Sequence, residues 1–180
     1  MKKFIILLIV SLFFARPLFS EEPKTPEERI NYLITIIDES DKRLEENKKD
    51  VRAYYDRGNA HYYLGIIYKE LFRDTMVATH LESAKNNFEL AIEDFTKAEK
   101  YDPTFMPARI VRGMSYGQLG LSASAIADFS SVIAEDPGNA QAYYARGREY
   151  WEVGEYEKAK LDYDKACELD PQWKDFFYSQ

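Results

Sequence analysis

The chain has 180 residues, of which 46% are hydrophobic and 31% charged, so it can form one domain or a short array of repeats. Its formal net charge of −7 opposes binding to phosphate backbones, and we find no basic patch that offsets it, so we expect no nucleic-acid partner. The single cysteine, Cys167, excludes an intramolecular disulfide.

The N-terminal segment, 1–20, is predicted to be a secretory signal peptide. Lys2 and Lys3 precede the apolar run FIILLIVSLFFA, and RPLFS then interrupts it before a polar segment. The run is shorter than the roughly 20 residues that a membrane-spanning helix needs. We expect cleavage after Ser20, which leaves a net charge of −10 and no membrane span; an uncleaved anchor is the alternative. The chain is therefore predicted to be exported to the periplasm or cell envelope, with secretion from the cell as the alternative.

Residues 21–50 are predicted to form a linker and an N-terminal helix at 26–47. Thr25 suits the N-cap, Pro26 the first helical position, and Glu28 can complete a capping box. Apolar residues follow at helical spacing, namely Ile30, Leu33, Ile34, Ile37 and Leu44. Because a lone amphipathic helix is only marginally stable in water, we expect this stripe to pack on the segment that follows.

A pattern of small, aromatic and proline residues recurs at a constant interval, with no gap between its last two copies. One of these copies comprises Gly113, Tyr116, Gly120, Ala125, Phe129 and Pro137, and the next comprises Gly147, Tyr150, Gly154, Ala159, Tyr163 and Pro171. An earlier copy starts at AYYDRGNAHYYLG, but an insertion delays its second half, AIEDFTKAEKYDP, by twenty-one positions. We therefore divide the chain into repeats at 51–103, 104–137 and 138–171, with the insertion in the first and a tail at 172–180.

Each repeat predicts two antiparallel helices, called helix A and helix B here, joined by a glycine turn and closed by a proline. Gly147 lies inside helix A opposite Ala159 of helix B, where two small residues let the helix axes approach, with the Tyr150 ring beside them. The corresponding pairs are Gly58 with Ala91 and Gly113 with Ala125. The predicted fold is all-α, a curved stack of helix–turn–helix units.

These units resemble tetratricopeptide repeats. The resemblance is close in AYYARGREYWEVGEYEKAKLDYDKACELDP and looser in ARIVRGMSYGQLGLSASAIADFSSVIAEDP, which has Arg109 where an aromatic residue is usual. It extends over about residues 51–171, and three copies in register make it specific. The resemblance implies a tetratricopeptide-type solenoid that binds a protein or peptide.

The insertion in the first repeat is predicted to be helical. The segment IIYKELFRDT continues the apolar stripe of the first helix A, and MVATHLESAKNNFEL runs at helical spacing into Ala91. Both helices would then be longer by about ten residues, or ~15 Å, and would meet at a turn near Asp74 and Thr75. The alternative is a flexible loop, but a polar loop would not repeat apolar residues at this spacing.

One arginine and one aspartate recur at matching positions of every repeat. The arginines are Arg57, Arg112 and Arg146, each before the contact glycine; the aspartates are Asp94, Asp128 and Asp162, each before the aromatic residue of helix B. We predict a partly buried ion pair that ties helix A to helix B or bridges neighbouring repeats, because the arginine fork suits bidentate pairing. The alternative is three unrelated surface charges.

The sequence contains no catalytic constellation, phosphate-binding loop or metal-ligand spacing, so we expect no enzyme activity, cofactor or metal. His61 takes the position of Tyr116 and Tyr150, which predicts a core-packing role, whereas His80 is expected to be solvated. Cys167 falls in an apolar helical position, which predicts a buried, inert thiol; an intermolecular disulfide is the alternative.

The A helices of stacked helix pairs line the inner face, which predicts a binding groove. The predicted groove residues are Tyr55, Asn59, Tyr62, Ile110, Met114, Gly117, Tyr144, Arg148 and Trp151, with Arg52 and Gln141 near the rim. Rings offer a large contact area at low entropy cost, which suits peptide capture; the alternative is that they pack between repeats. Some family members clamp a carboxylate with lysine and asparagine residues, but only Asn59 resembles that array, so this ligand is not expected.

The tail carries Trp173, Phe176 and Phe177, which are expected to cover the open end of the last repeat, with docking on a partner as the alternative. The predicted function is a non-enzymatic scaffold of the bacterial cell envelope that recognises a protein or peptide through its groove. The alternatives are a self-associating structural component, in which the chain forms a homo-oligomer, and a regulatory subunit of an envelope complex.

Overall fold

The computed structural model describes residues 25–174; the predicted signal peptide, Phe176 and Phe177 lie outside this range. The described residues form seven α-helices and no strand. In chain order the helices are α1 (Pro26–Glu46), α2 (Val51–Thr75), α3 (Ala78–Tyr101), α4 (Met106–Gln118), α5 (Ser122–Glu135), α6 (Ala140–Glu152) and α7 (Tyr156–Leu169). Within residues 25–174 no helix is both long and apolar enough to cross a membrane.

Helix α1 starts with the predicted capping box. The Thr25 hydroxyl accepts a hydrogen bond from the Glu28 backbone N–H at 3.1 Å, and the Glu28 carboxylate accepts one from the Thr25 N–H at 3.1 Å. These reciprocal bonds satisfy two backbone donors that the helix itself leaves unpaired. The helix ends at Glu46, one residue before the predicted end.

The following six helices form three antiparallel pairs. Helices α2, α4 and α6 are the A helices, and α3, α5 and α7 are the B helices that pack on them. Each B helix except α7 also packs on the next A helix, and the A helices contact one another, α2 with α4 and α4 with α6. The A helices therefore form one continuous surface, called the A face here, which is the inner side of a curved stack.

The contact glycine of each helix A receives an aromatic ring from helix B. A Cβ added to Gly113 would lie 2.7 Å from the Phe129 ring, and one added to Gly58 would lie 2.8 Å from Phe95. At Gly147 it would lie 3.0 Å from the Tyr163 ring and 3.2 Å from the Ala159 carbonyl oxygen. The Tyr150 ring, which was expected beside this pair, lies 5.8 Å from the guanidinium carbon of Arg146.

The turn glycines of the second and third repeats have left-handed backbones. Gly120 has φ +73° and Gly154 has φ +80°, a region that costs glycine little. Gly65 takes the same position in the first repeat but lies inside α2, and a Cβ there would lie 2.6 Å from the Phe88 ring. Because of the insertion, Gly65 lies inside a helix and allows a second close contact with helix B, although the equivalent glycines of the other repeats lie in turns.

The insertion forms a helical hairpin, as predicted. Helices α2 and α3 have 25 and 24 residues, against 13 or 14 in the other pairs, so the hairpin projects by about 15 Å. Its turn lies at Met76, which has φ 56°, and Val77, just beyond the predicted Asp74 and Thr75.

The apolar stripe of α1 covers the lengthened part of α2. Leu33 of α1 is buried with Ala60, Leu64 and Ile67 of α2, and further partly buried apolar residues of both helices pack around them. The predicted packing of α1 on the first repeat is confirmed, and it explains why α1 is longer than the regular B helices.

The three predicted arginine–aspartate pairs are present and bidentate. Arg57 Nε and Nη2 donate to Asp94 at 2.8 and 2.6 Å. The corresponding distances are 2.8 and 2.7 Å from Arg112 to Asp128, and 2.7 and 2.8 Å from Arg146 to Asp162. Their hydrogen bonds to these carboxylates help to raise the pKa of all three guanidinium groups. Each pair joins helix A to helix B, and all three aspartates are buried.

The same arginines also reach the preceding B-type helix. Their Nη1 atoms donate to Asp41, Thr96 and Ser130, each 16 residues earlier in the chain, and Arg112 also pairs with Glu99. Both predicted roles are therefore combined in one side chain. Because Arg57 reaches Asp41 in this way, α1 takes the place of a helix B that precedes the first repeat.

Arg109, which replaces the usual aromatic residue, is buried by charge pairing. Its Nε donates to Glu99 at 2.8 Å, its Nη1 to Ser131 at 3.1 Å and to Glu135, and its Nη2 to the Pro103 carbonyl at 2.7 Å. These bonds satisfy the guanidinium where a ring would otherwise pack.

Candidate functional site

Two of the predicted groove residues are buried, which corrects their assignment. Tyr55 is 2% exposed and packs between Phe95 and Phe105, with ring centroids 6.0 and 5.1 Å away. Ile110 is 9% exposed and packs with Val132 and Ala142. The alternative of packing between repeats therefore holds for these two, because the next repeat covers them.

The other predicted groove residues stay partly or fully open to solvent. Arg52 and Trp151 are exposed, and Asn59, Tyr62, Met114, Gly117, Gln141, Tyr144 and Arg148 are half-buried. The Arg52 guanidinium lies 5.3 Å from the Tyr55 ring and pairs with Asp56. Trp151, at 53% exposure, contacts only the Tyr156 ring edge-on among the ring contacts of the described residues, at 4.9 Å.

A buried carboxylate holds Arg148 in place, a feature that the repeat pattern does not predict. Glu149 is 2% exposed; it accepts a hydrogen bond from Ser122 Oγ at 2.9 Å and one from Arg148 Nη2 at 3.2 Å. Gly117 makes room for it, because a Cβ at this position would overlap the Glu149 carboxylate. The signal was in the repeat alignment: Glu149 takes the position of Ser115 and Ala60, two small buried residues.

The charge of Arg148 in the third repeat acts on tyrosines of both the first and the third repeat. Burial raises the pKa of Tyr62 on α2 and of Tyr144 on α6, and the nearby Arg148 charge opposes the rise in both. Burial also raises the pKa of Tyr163 to about 12, again against the Arg148 charge. Arg148 therefore lies within electrostatic reach of rings on both sides of the groove.

A hydrogen bond between side chains links helix α2 of the hairpin to the C-terminal end of helix α4. Lys69 Nζ donates to Gln118 Oε1 at 2.9 Å, and the side chain of Gln118 is also within hydrogen-bonding reach of the Tyr62 hydroxyl. The A face thus combines half-buried rings with one fixed cation and several amide or ammonium groups. Such a surface can hold apolar side chains and orient polar backbone or side-chain groups.

The remaining candidate residues have structural partners. His61 is half-buried, with Nδ1 3.0 Å from Asn87 Oδ1, and His80 is partly open to solvent, with Nδ1 3.1 Å from Thr75 Oγ1. Cys167 is a free thiol that is only half-buried, which corrects the expectation of a fully buried one. Residues 25–174 contain no group of three or more acidic, histidine or cysteine side chains that could hold a metal ion.

Trp173, the one described aromatic residue of the tail, covers part of the third repeat. Its ring stacks on Tyr144 at 4.5 Å, and Tyr144 in turn lies 5.5 Å from Tyr163. This contact agrees with the predicted cover of the last repeat, at the C-terminal end of the A face.

Comparison with known proteins agrees with this geometry. Residues 140–172 match the family model of the tetratricopeptide repeat. The solved structure of the MamA RS-1 ArsTM double mutant has 24% identity and a TM-score of 0.59, over 81% of this chain and 66% of that one. The second tetratricopeptide domain of Spaghetti (RPAP3), solved with the HSP90 peptide SRMEEVD, has 22% identity and a TM-score of 0.51, over 71% and 99%. TTC0263, a thermophilic tetratricopeptide protein of Thermus thermophilus, has 19% identity and a TM-score of 0.50, over 86% and 98%. No curated protein sequence matches significantly.

Three helix pairs with a continuous A face define an all-α helical-repeat solenoid. The family model assigns residues 140–172 to the tetratricopeptide repeat, and the described residues have the fold of a tetratricopeptide-type solenoid.

Proposed function

We propose that this protein is a non-enzymatic scaffold that binds a peptide segment of another protein on its A face. The observation that carries the proposal is the half-exposed Arg148, at 38%, which pairs with Glu149 and whose charge acts on Tyr62 and Tyr144. A cation that is already held by a salt bridge binds a ligand at low entropic cost, because little side-chain freedom remains to be lost. The Spaghetti domain with its bound peptide shows that a related fold can hold such a ligand.

The peptide is expected to place an apolar side chain on Trp151 and a polar group at Arg148 or Asn59. Exposed aromatic and arginine residues are the side chains that most often dominate binding energy at interfaces. Tyr55 and Ile110 support this surface from beneath instead of contacting the ligand, since both are buried.

The test uses peptides selected from a random displayed library on the purified protein. The Kd of the selected peptides is then measured by fluorescence polarisation for the wild type, Trp151→Ala and Leu161→Ala. Leu161 is the matched control because it is exposed but lies on helix α7, away from the A face. We expect at least tenfold weaker binding for Trp151→Ala and no change for Leu161→Ala. Equal affinity of all three proteins would reject the A face as the site.

The bacterial envelope is the proposed location, supported by the signal-peptide pattern of residues 1–20. The intact mass of the protein recovered from the periplasmic fraction tests it, and the expected mass is that of the chain starting at Glu21. Recovery in the cytoplasm with residues 1–20 still attached would overturn this location.

Self-association is a second candidate, favoured by the apolar tip of the hairpin. Met76 is 72% exposed, and Val77 and Leu81 are also exposed. Sedimentation velocity of the wild type and of Met76→Ser/Leu81→Ser would separate the two candidates. A wild-type monomer at high micromolar concentration would reject self-association and leave peptide binding unaffected.

A further inference from the structure

The two arginines of the predicted groove are already paired with carboxylates of the protein itself. Arg52 pairs with Asp56 of the same helix at 2.9 Å, and Arg148 pairs with the buried Glu149 at 3.2 Å. Because a carboxylate lies against each guanidinium, each one attracts an acidic ligand less than an unpaired cation would. Arg148 can still donate to an uncharged acceptor, such as a peptide carbonyl, since a guanidinium has five N–H groups.

Carboxylates outnumber the cation in the part of the A face that the third repeat forms. Glu152 is exposed one helical turn after Arg148 on helix α6, whereas Glu149 is buried. Burial raises the pKa of Tyr163 on helix α7 to about 12, the neighbouring Tyr144 and both carboxylates add to the rise, and Arg148 opposes it. All three charges therefore lie around one hydroxyl group, and two negative charges against one positive charge leave an excess of one negative charge.

An exposed pair of rings follows these charges along the chain. Trp151 is 53% exposed and Tyr156 is 54% exposed, and their ring centroids lie 4.9 Å apart with the planes at 65°. A cation covers the nearby ring of Tyr150, where the Lys158 ammonium lies 5.4 Å from the centroid. Within the described part of the chain, no cation covers Trp151 or Tyr156 in this way. An indole face is the most favourable of the aromatic side chains for a cation, and a carboxylate beside it adds to the attraction.

We propose that the A face binds a basic peptide segment, with a lysine or arginine of the ligand seated on Trp151 beside Glu152. The methylene stem of that residue packs on the indole ring, and its charged end lies near the carboxylate. The inference rests on the proposed function and adds the charge of the ligand to it. The apolar group that Trp151 receives is then the stem of a basic side chain.

The two ends of the A face differ in charge, which determines where the basic residue binds. At the hairpin end, Lys69 donates to Gln118 at 2.9 Å, so this end carries a cation. The third repeat carries the excess of negative charge and the exposed indole. A basic residue of the ligand is therefore favoured over the third repeat, and the net charge of −7 of the whole chain attracts a ligand of the same sign.

Three synthetic peptides test the charge of the ligand. They alternate leucine with arginine, glutamine or glutamate, and both ends are blocked, so they differ only in the charge of their side chains. Isothermal titration calorimetry measures their Kd with the protein produced from the full chain. We expect the arginine peptide to bind about tenfold more tightly than the glutamate peptide, with the glutamine peptide between them. Equal or tighter binding of the glutamate peptide, or no detectable binding of the arginine peptide, would overturn the inference.

Two variants and a matched control locate the basic residue on the A face. Trp151→Ala should weaken the binding of the arginine peptide by about tenfold, because it removes the ring under the stem. Glu152→Gln should weaken it by about threefold, as expected for an exposed ion pair, and leave the glutamine peptide unaffected. The control is Glu168→Gln, which removes the same charge from an exposed position on helix α7 and should change neither affinity. Equal losses in Glu152→Gln and Glu168→Gln would mean that only the net charge matters, which overturns this site.

Failure of this inference can be told apart from failure of the proposed function. Library-selected peptides that lose affinity in Trp151→Ala but contain no lysine or arginine would support peptide binding on the A face and overturn the basic ligand. Library-selected peptides that bind Trp151→Ala as tightly as the wild type would reject the A face and this inference together.

Discussion

At the residue scale, each repeat is held together by two adjacent contacts on the same side of helix A. The aromatic ring of helix B packs against a glycine of helix A. The arginine that precedes this glycine forms a bidentate ion pair with the aspartate that precedes the ring. A glycine inside a helix costs about 1 kcal/mol relative to alanine. Its recurrence indicates that the close packing of the two helices stabilises the fold by more than this cost. The ring sets the distance between the helices, and the ion pair sets their register.

Gly113→Ala tests the close contact between the glycine of helix A and the aromatic ring of helix B. Alanine is the better helix former, but its Cβ would lie 2.7 Å from the Phe129 ring, so we expect a loss of about 1–3 kcal/mol of unfolding free energy. Urea denaturation measures this loss. Gly138→Ala is the control, because the nearest neighbour of an added Cβ is the Asp136 side chain at 3.3 Å; its effect should stay below about 0.5 kcal/mol. Equal effects at both sites would contradict the explanation.

Asp128→Asn tests the contribution of the ion pair between Arg112 of helix A and Asp128 of helix B. The substitution leaves the Arg112 guanidinium, which is largely buried, without its bidentate partner, and breaking such a pair costs about 3 kcal/mol. The matched control is Asp164→Asn, which removes the exposed pair with Lys160 and should cost at most about 1 kcal/mol. Urea denaturation measures the loss of unfolding free energy in the two variants. Similar losses would mean that the buried pair stabilises the fold no more than the exposed pair does.

At the element scale, the lengthened hairpin and α1 depend on each other. The upper part of α2 buries its apolar side against α1, where Leu33 and Leu64 meet, and α1 has no other long helix to cover its stripe within the described part of the chain. A helix that lost this partner would be marginal in water. The extra length of the two elements is therefore one feature of the fold, not two.

Deletion of residues 66–86 removes this partner while restoring a first repeat of regular length, since Gly65 would then precede Asn87 at the same spacing as in the other repeats. We expect the three repeats to remain folded and the first half of α1 to unfold. Hydrogen exchange measures this: amides around Ile30 and Leu33 should lose protection, while those around Phe129 keep it. Unchanged protection in α1 would show that the hairpin does not support it.

At the scale of the whole molecule, neighbouring repeats are joined by charge as well as by apolar packing. Glu99 at the end of α3 accepts hydrogen bonds from both Arg109 and Arg112 of α4. Partial burial alone would raise the pKa of Glu99, but its bonds to the two arginines lower it below the usual value. Because the folded state binds the proton less tightly than the unfolded chain, this carboxylate stabilises the fold at neutral pH.

The sign of this shift predicts how acid acts on the interface. The stabilisation by Glu99 is fully present above its unfolded pKa of 4.5 and is lost as the pH falls through the lower folded value. Glu99→Gln should therefore lower the thermal midpoint at pH 7 and make it less sensitive to acid below pH 4.5. Glu168→Gln, at an exposed pair with Lys165, is the control and should change neither property. A parallel acid dependence in Glu99→Gln and the wild type would contradict the assignment.

Much of the fold was accessible from the sequence, because its determinants lie close together along the chain. The Thr25 capping box and the three arginine–aspartate pairs were predicted residue by residue, and the hairpin turn was missed by only one or two positions. The role of Gly65 was not predicted, since its spacing is that of a turn glycine and only the insertion places it inside a helix.

The candidate site was less accessible. The half-buried rings and Arg148 were predicted, but Tyr55 and Ile110 were placed in the groove although neighbouring repeats cover them. Glu149 was not identified, because its partners Gly117 and Ser122 come from the preceding repeat. The exposure of a groove position depends on side chains of the adjacent repeat, which a pattern within one repeat does not contain.

By itself, the sequence determined the repeating unit: side-chain size and charge recurring at a constant interval specify which helices pair, at what distance and in what register. Only the tertiary structure decided which of the inward-pointing side chains remain available to a ligand. The reason is physical: pairing within a unit is governed by near neighbours along the chain, whereas exposure is governed by whichever unit is stacked on top of it.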